Sequence, residues 1–336
     1  MFRRVRLPDL RNLRNLRNML NLQDTIHRYG LAAKKSLGQH FLLDEAITDE
    51  IVRYAGNLSG VHVIEIGPGP GGLTRSLLRS EAAHVYVVEK DDRAIAIMQE
   101  LAEHFPGRLT VLHDDALSVN LLEQVPAPRR IIANLPYNIG TQLLLNWLEE
   151  IYNNPHPNPL PKRERESPVA TSLATISISH VEKKLTAPST FQGEGRDEGA
   201  YQSLTLMFQK EVAERIIAAP GSKAYGSLSV FVQWLCEVRW DMDLPPEAFS
   251  PPPKVHSAVI TLSPREKPLV DVPKEALEKV LASAFNQRRK MLRVSLKTLG
   301  CNVEKLLADA GIDGTLRAEQ LSVEAFCLLA AATAKK

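Results

Sequence analysis

The chain is poor in cysteine and has no long apolar run. It contains three cysteines, Cys236, Cys301 and Cys327, and no two of them form a CxxC pair. We therefore expect reduced thiols in a reducing compartment, with neither a disulfide framework nor a zinc site. The longest apolar candidate, residues 321–334, contains Glu324 and falls short of the roughly 18 residues that a membrane span needs. No membrane partner is expected.

Extremes of composition are also missing. Hydrophobic residues make up 44% and charged residues 24% of the 336-residue chain. These are ordinary values for folded proteins, and they exclude wholesale disorder. At about 150 residues per domain, the length predicts two domains, or one large domain with an appendage.

The net charge of +2 hides two basic ends around an acidic middle. Residues 1–40 contain nine Lys/Arg against two Asp/Glu, and residues 264–336 contain thirteen against nine. Residues 41–263 contain nineteen against twenty-eight. This distribution is suited to a polyanion that is held from its flanks, although charge of this size can also serve solubility alone.

The first 22 residues are interpreted as a basic N-terminal arm. Arg11, Arg14 and Arg17 each begin an Arg-Asn-apolar triplet, and the segment lacks the apolar core of a secretory signal. An Arg-rich, acid-poor N-terminus is also typical of organelle transit peptides. The choice between the bacterial cytoplasm and an organelle therefore depends on this arm, and we expect the cytoplasm.

From Val61 onward, β-branched runs alternate with segments of helical periodicity. Strands are predicted at 61–66, 84–88, 109–112, 130–133, 203–208 and 257–262, and helices at 73–78, 93–104 and 141–151. Strands that alternate with helices predict an α/β fold with a parallel sheet and right-handed crossovers. The residues after Pro273 look all-helical, so we place a domain boundary near 264, between residues 23–263 and 264–336.

Residues 153–199 interrupt this alternation. Prolines at every second position from Pro155 to Pro161 exclude a helix or a central strand. We interpret the segment as an inserted, mostly disordered loop. Because it follows a helix and precedes a strand, it should leave the sheet at the edge opposite to the one where ligands bind.

Three predicted strands end in residues suited to a nucleoside. A glycine turn with Gly67 and Gly69 follows the first strand; glycines let a ligand approach the backbone, and the next helix adds positive potential. Glu89 ends the second strand 22 residues after Gly67, near the ~20 expected for a carboxylate that accepts from ribose hydroxyls. Asp115 ends the third strand and could receive an adenine amino group. The pair Asp114-Asp115 lacks further ligands at metal spacing, so no metal is predicted. A plain turn and solvated acids are the alternatives.

The fourth strand ends in Asn134-Leu135-Pro136-Tyr137, the sharpest signal in the chain. The exocyclic amine of a purine is a poor nucleophile, because its lone pair is delocalised into the ring. The side-chain carbonyl of Asn134 and the main-chain carbonyl of Leu135 could accept its two hydrogens, while Pro136 holds the turn and Tyr137 offers a face for stacking. Such an amine could attack a sulfonium methyl without an obligatory general base, by positioning and preorganised dipoles.

In this order, the motifs resemble class I S-adenosylmethionine methyltransferases that modify the N6 of adenine. Further segments narrow the resemblance to the small-subunit ribosomal RNA adenine dimethyltransferases; they are 35–42, 208–212, 224–226, 249–259 and 285–290. The similarity extends from about Gln23 to Ala330, with 153–199 as the exception. The resemblance implies a Rossmann-like sheet, mostly parallel with an antiparallel last strand, followed by a small all-helical C-terminal domain.

The resemblance also implies an activity: dimethylation of two adjacent adenosines in the 3′-terminal hairpin loop of 16S rRNA, late in small-subunit assembly. The expected partners are this rRNA and the immature small subunit, and we expect a monomer. The cofactor is S-adenosylmethionine, and its implied contacts are His40, Leu42, Gly67, Gly69, Glu89, Asp115 and Asn134. The family usually has Asn where this chain has His40, which puts that one contact in question.

A basic helix near the C-terminus fits an RNA substrate. Apolar residues fall on one helical face, namely Phe285, Leu292, Leu296 and Leu299. Basic residues lie beside this seam, so the predicted RNA-binding residues are Arg288, Arg289, Lys290, Arg293 and Lys297. A solvated helix face is the alternative.

Three rival functions stay open at this stage. Two are enzymes, a large-subunit rRNA dimethyltransferase of the antibiotic-resistance type and a DNA adenine methyltransferase, and segment 285–290 and the triplet Pro251–Pro253 argue against both. The third is a ribosome-assembly or transcription factor that keeps the fold without catalysis; the intact motif at Asn134 argues against it.

Overall fold

The computed structural model describes residues 22–31, 39–155 and 199–334. Most of the predicted basic arm (1–21) and of the predicted insert (156–198) lies outside these residues. The strands are β1 (Phe41–Leu42), β2 (His62–Ile66), β3 (His84–Glu89), β4 (Leu109–His113), β5 (Arg129–Asn134), β6 (Ser203–Gln209), β7 (Cys236–Leu244), β8 (Phe249–Ser250) and β9 (Ser257–Pro264).

Helices surround these strands and make up the C-terminal region. They are α1 (Leu22–Arg28), α2 (Glu45–Tyr54), α3 (Gly72–Arg79), α4 (Asp92–His104), α5 (Leu121–Gln124), α6 (Gly140–Asn153), α7 (Lys210–Ile217), α8 (Ser227–Leu235), α9 (Lys274–Asn286), α10 (Leu292–Ser295), α11 (Val303–Ala310) and α12 (Val323–Ala334). Within the described ranges, no helix is both long and apolar enough to cross a membrane.

Seven of the described strands form one sheet in the order β4-β3-β2-β5-β6-β9-β7. β2 to β6 are parallel, and β9, the last strand, is antiparallel to both of its neighbours. This confirms the predicted sheet. The strand order reverses between β2 and β5, which is where open α/β sheets form their ligand crevice.

The alternation of side chains along β2 explains why helices cover both faces of the sheet. Val63 and Ile64 are both fully buried, yet they point to opposite faces. Val63 joins the core that α2, α3 and α4 form with the sheet. Ile64 joins a second core with Trp147 of α6, and this core continues without a break to Phe326 of α12. The C-terminal helices therefore pack on one face of the sheet, while their separation as a domain at 264 stays a prediction.

Strand β7 carries no clear signal in the sequence. It lies at the edge of the sheet, and charged residues Glu237, Arg239, Asp241 and Asp243 alternate along it. A strand at the edge of a sheet does not need apolar side chains along its whole length, and charged side chains there often prevent pairing with another chain. The pattern of β7 therefore lacks the β-branched run that marks the central strands.

The predicted single basic helix through residues 285–299 is wrong. α9 ends at Asn286, and α10 starts only at Leu292 and continues as a 3₁₀ turn, Leu296–Leu299. The amide of Leu292 donates to the Leu316 carbonyl (2.7 Å) and that of Arg293 to the Gly314 carbonyl (3.0 Å). These contacts to the 313–317 loop replace the helical hydrogen bonds, so tertiary structure overrides a local helical pattern.

The two ends of the predicted insert meet at the amino edge of the sheet. The amide of Ala200 donates to the Asn154 carbonyl (3.2 Å), and the amide of Gln202 donates to the carbonyl of Arg129, the first residue of β5 (2.8 Å). The segment therefore leaves and rejoins the fold on the side opposite to the carboxyl ends of β2 and β5. This confirms the predicted position.

Removal of residues 155–198 should preserve both fold and activity. The flanking residues are already hydrogen bonded to each other, and each halving of a loop's length changes the free energy of closing that loop by only ~0.6 kcal/mol. We expect the purified deletion variant, joined by two glycines, to unfold within a few degrees of the full chain and to keep its turnover. A variant that folds but has lost turnover would contradict this, and a variant with 155–198 replaced by an equally long Gly/Ser linker controls for length.

Candidate active site

A cleft opens at the carboxyl ends of β2, β3 and β5. It encloses about 880 Å³ when the part open to solvent is included. The cleft brings together nine of the predicted cofactor and catalytic residues: His40, Leu42, Gly67, Gly69, Glu89, Asn134, Leu135, Pro136 and Tyr137. Asp115 is the one predicted cofactor residue that does not line it.

The glycine turn between β2 and α3 depends on glycine at two positions for different reasons. Gly69 has a φ of +53°, and a Cβ there would lie 2.8 Å from the Phe41 ring. Gly72 begins α3, and a Cβ there would lie 2.3 Å from the Leu42 carbonyl oxygen. Both contacts come from β1, which lies directly over the turn. The glycines therefore allow a close approach between two segments of the chain as well as access for a ligand.

Strand β1 is held in place by a partner far along the chain. Phe41 and Leu42 pair with Ser250 and Phe249 of β8. This pairing places His40 at the cleft next to the loop that follows β8, where its imidazole Nδ1 lies 2.8 Å from the Pro251 carbonyl oxygen. Local sequence patterns carry no sign of this pairing, because both strands have only two residues.

Glu89 is fixed by the backbone at the end of β3. Its Oε1 accepts from the amides of Lys90 (2.8 Å) and Asp91 (2.9 Å). Burial raises the pKa of Glu89, while backbone donors, including Gly69, work against this rise. The carboxylate therefore has one orientation in the cleft and suits hydroxyl donors such as those of a ribose.

Asp115 lies at the lip of the cleft. Its Oδ2 is 3.0 Å from the Lys90 ammonium, and its Oδ1 accepts from the Leu117 amide (3.0 Å). The Leu117 amide and Lys90 lower the pKa of Asp115, so the group is ionised at neutral pH. The structure thus brings Asp115 to the correct sheet edge but pairs it with a lysine.

The side-chain amide of Asn134 has a defined orientation. Its Nδ2 donates to the His40 carbonyl oxygen (2.9 Å), which leaves Oδ1 as the end that accepts hydrogen bonds. Pro136 packs beside the glycine turn, since its Cγ lies 3.8 Å from the position of a Cβ on Gly67. The motif at the end of β5 is therefore attached both to the glycine turn and to the segment before β1.

Tyr137 presents its ring at the cleft and uses its hydroxyl for support. The hydroxyl lies 2.5 Å from Ser257 Oγ at the start of β9. The ring centroid is 5.1 Å from that of His40, with planes tilted by 32°. Burial raises the pKa of Tyr137, and the bond to Ser257 works against that rise. Tyr137 is thus a neutral aromatic surface at neutral pH.

Glu65 is a cleft residue to which the sequence analysis gives no role. It is 2% exposed, and its Oε2 accepts from the Thr74 hydroxyl (2.6 Å). Burial, followed by the nearby charge of Glu89, raises the pKa of Glu65 to about 8. An acid inside the β-branched run of β2, directly before the glycine turn, is the signal that could have marked it.

The predicted RNA-binding residues divide into two kinds. Arg289, Lys290, Arg293 and Lys297 are exposed on the segment between α9 and the 3₁₀ turn. Arg288 instead is half-buried, and it donates to Glu319 (3.0 Å) and to the Lys223 carbonyl (2.6 Å). Its guanidinium therefore links α9 to two neighbouring loops. Among the described residues, no group of three or more His, Cys, Asp or Glu side chains is arranged to hold a metal ion.

The chain is similar in sequence to a family of known enzymes. A family model described as ribosomal RNA adenine dimethylase matches residues 30–335. The ribosomal RNA small subunit methyltransferase A of Paracoccus denitrificans (strain Pd 1222) is 48% identical over 309 residues, which are 92% of this chain and 94% of that protein. The protein of the same name from Paramagnetospirillum magneticum (strain ATCC 700264 / AMB-1) is 47% identical over 311 residues, 93% and 94% of the two chains.

Solved structures share the fold. A dimethyladenosine transferase from Plasmodium falciparum matches with a TM-score of 0.64 and 24% identity, over 86% of this chain and 96% of that chain. The 23S rRNA methyltransferase ErmE matches with a TM-score of 0.57 and 22% identity, over 87% and 98% of the two chains. These likenesses confirm the predicted Rossmann-like methyltransferase fold with its helical C-terminal region.

The buried acid Glu65 should make stability depend on pH. Its pKa is about 8 in the folded chain and near 4.5 when unfolded, so its contribution is fully present below pH 4.5 and is lost as the pH rises through 8. We compare the free energy of unfolding of Glu65→Gln, which can still accept from Thr74, with that of the wild type. The advantage of the variant should grow by on the order of 3 kcal/mol when the pH is raised from 5 to 8.5. Urea unfolding followed by tryptophan fluorescence measures this difference. Glu103→Gln, at an exposed position, is the control, and a Glu65→Gln difference that stays constant with pH would contradict the assignment.

Proposed function

The chain belongs to the ribosomal RNA adenine dimethylase family, and from this premise we propose that its cleft dimethylates two adjacent adenosines in the 3′-terminal hairpin loop of small-subunit rRNA. The protein is an S-adenosylmethionine-dependent rRNA adenine N6,N6-dimethyltransferase that acts on the rRNA of the small subunit. The observation that supports the site best is that Asn134 and Tyr137 share one cleft with the glycine turn and Glu89.

The residues of the cleft fit the cofactor. The glycine turn presents backbone without side chains beside the start of α3, and Glu89 offers an oriented carboxylate for ribose hydroxyls. The rest of the cofactor site would be lined by His40, Leu42, Gly67 and Gly69. Asp115 would receive the adenine amino group at the lip of the cleft. When bound, S-adenosylmethionine supplies an electrophilic methyl group. Asp115 pairs with Lys90 and accepts from the Leu117 amide, and its carboxylate has further acceptor sites for the adenine amino group.

The chain itself prepares the attacking amine. Asn134 Oδ1 and the Leu135 carbonyl accept the two N6 hydrogens, and this draws the nitrogen toward tetrahedral geometry. Pro136 keeps the turn rigid, and the target adenine stacks on Tyr137 after it has left its own stack in the RNA. The proton leaves to solvent after the transfer. Catalysis then arises from positioning and fixed dipoles, without a titrating base.

The proposal extends to the setting of the reaction. The helical C-terminal region would hold RNA phosphates with Arg289, Lys290, Arg293 and Lys297, which are all exposed and lie within residues 289–297. Arg288 would support this surface through its bonds to Glu319 and Lys223. We propose the immature small subunit as the substrate particle, and a monomer in the cytoplasm as the working form.

Asn134→Ala should abolish methyl transfer and leave binding in place. Loss of one preorganised dipole typically lowers the rate constant by about 10²–10³-fold, while RNA affinity should change little because the proposed phosphate contacts lie in the C-terminal region. The assay is incubation of methyl-depleted small subunits with labelled S-adenosylmethionine, followed by nucleoside mass spectrometry of the rRNA. Wild type and Asn146→Ala, a matched change on α6, should both yield N6,N6-dimethyladenosine. An active Asn134→Ala variant would overturn the assigned role. In parallel incubations with large subunits and with DNA, product in either of these but none in small subunits would overturn the substrate.

Arg293→Ala combined with Lys297→Ala should weaken RNA binding through charge alone. The logarithm of the binding constant falls linearly with the logarithm of the salt concentration, and each lost phosphate contact makes this slope less steep by about 0.7–0.9. We therefore expect the slope to fall by roughly 1.5 and the affinity for small subunits to fall most at low salt. Lys267→Ala combined with Lys279→Ala removes the same charge elsewhere on the C-terminal third and should leave the slope unchanged. Equal slopes for both double variants would contradict the proposed surface.

A further inference from the structure

Two side chains from distant parts of the chain hold the ring of Tyr137. Ser257 Oγ lies 2.5 Å from its hydroxyl, and the His40 imidazole packs on its ring at a centroid distance of 5.1 Å. Ser257 is fully buried at the start of β9, so its hydroxyl is a fixed partner. The phenol is thereby held at its polar end and across one face.

His40 is itself held by two contacts. Its Nδ1 lies 2.8 Å from the Pro251 carbonyl oxygen, and its own carbonyl accepts from Asn134 Nδ2 (2.9 Å). The pairing of β1 with β8 fixes the backbone on either side of these contacts. His40 therefore connects the amide that would orient the attacking amine with the ring that would hold the base.

The spacing of the two rings decides where a base can stack. Centroids 5.1 Å apart belong to rings in direct contact, so no base fits between His40 and Tyr137. One face of Tyr137 is occupied by the imidazole. The other face is then the one that can receive an adenine next to Asn134.

We propose that His40 and Ser257 are positioning residues that clamp Tyr137 so that it offers a single face to the target adenine. This inference rests on the proposed function. Flipping an adenine out of RNA costs stacking energy, and a ring that is already fixed loses no further freedom when the base arrives. A small misplacement of the base relative to the methyl donor lowers the transfer rate strongly. The clamp therefore acts on the transfer step, with little effect on cofactor affinity.

The first test separates the ring of His40 from its hydrogen bond. His40→Phe keeps a ring and loses the bond to Pro251, His40→Asn keeps a donor and loses the ring, and His40→Ala loses both. We expect single-turnover methylation of methyl-depleted subunits to fall by about tenfold in His40→Ala and His40→Asn, with His40→Phe between them and the wild type. The Kd for S-adenosylmethionine, measured by calorimetry, should rise by less than the transfer rate falls, because His40 is only one of the several residues that would line the cofactor site. His62→Ala is the matched control, since His62 makes the same kind of bond to the Pro126 carbonyl at the opposite edge of the sheet.

The second test is a double-mutant cycle on the hydroxyl bond. Ser257→Ala and Tyr137→Phe break the same contact, so each should slow transfer by several-fold, and the double variant should be no slower than the slower single variant. Additive losses would show that Ser257 acts by another route and would overturn its part in the clamp. Circular dichroism and thermal unfolding establish that each variant is folded.

Three outcomes would overturn the role of His40. A His40→Ala variant as fast as or faster than the wild type would mean that the imidazole occupies the place of the base. A loss of rate matched by an equal loss of cofactor affinity would mean that His40 serves the cofactor alone. A His40→Asn variant equal to the wild type would mean that the ring contact is irrelevant. If the wild type itself forms no dimethyladenosine, the proposed function fails first, and the clamp fails with it.

Discussion

The close approach of residues 39–42 to the glycine turn is the constraint on which the whole site depends. A side chain at Gly72 would meet the Leu42 carbonyl, and one at Gly69 would meet Phe41. This contact brings the His40 carbonyl to Asn134 Nδ2 and so sets which end of that amide accepts hydrogen bonds. The glycine turn, where we propose that the cofactor binds, and the Asn134 motif, where we propose that the adenine binds, are therefore both held by one short segment. The glycines serve packing as much as ligand access.

The strand order explains why a segment so early in the chain can connect both halves. β2 and β5 are parallel neighbours at the point where the strand order reverses, so the glycine turn and the Asn134 motif follow the carboxyl ends of adjacent strands. β1 crosses the mouth between them and is anchored by β8, which belongs to the last third of the chain. The pairing of β1 with β8 also places the loop of residues 251–257 beside the cleft, where the Ser257 hydroxyl contacts the hydroxyl of Tyr137. Four segments that are far apart in sequence thus meet at the cleft: β1, the glycine turn, the Asn134 motif with Tyr137, and the segment from β8 to Ser257.

The sequence was informative where structure is local. Central strands have β-branched runs, and strand ends of a parallel sheet meet at one edge, so Gly67, Glu89 and Asn134 could be placed together before any coordinates. Features that depend on tertiary contacts could not be predicted from the sequence. They are the pairing of β1 with β8, the exposed edge strand β7, and the end of the helix at Asn286, after which backbone amides donate to the 313–317 loop. Arg288 belongs here as well, since its motif suggested RNA while its bonds go to Glu319 and Lys223.

The ionisable groups around the cleft favour catalysis by positioning. Burial raises the pKa of Tyr137 and its hydroxyl is occupied by Ser257, so a phenolate is not available to take a proton. Glu89 accepts from two backbone amides, and the buried Glu65, whose pKa is about 8, accepts from the Thr74 hydroxyl, so both carboxyl groups already have partners. Asn134 does not titrate. Under the proposed mechanism, the chain offers the adenine amine oriented acceptors and a fixed stacking surface. The nitrogen is cationic once its new bond to carbon has formed, and its proton is then acidic enough to leave without a base from the protein.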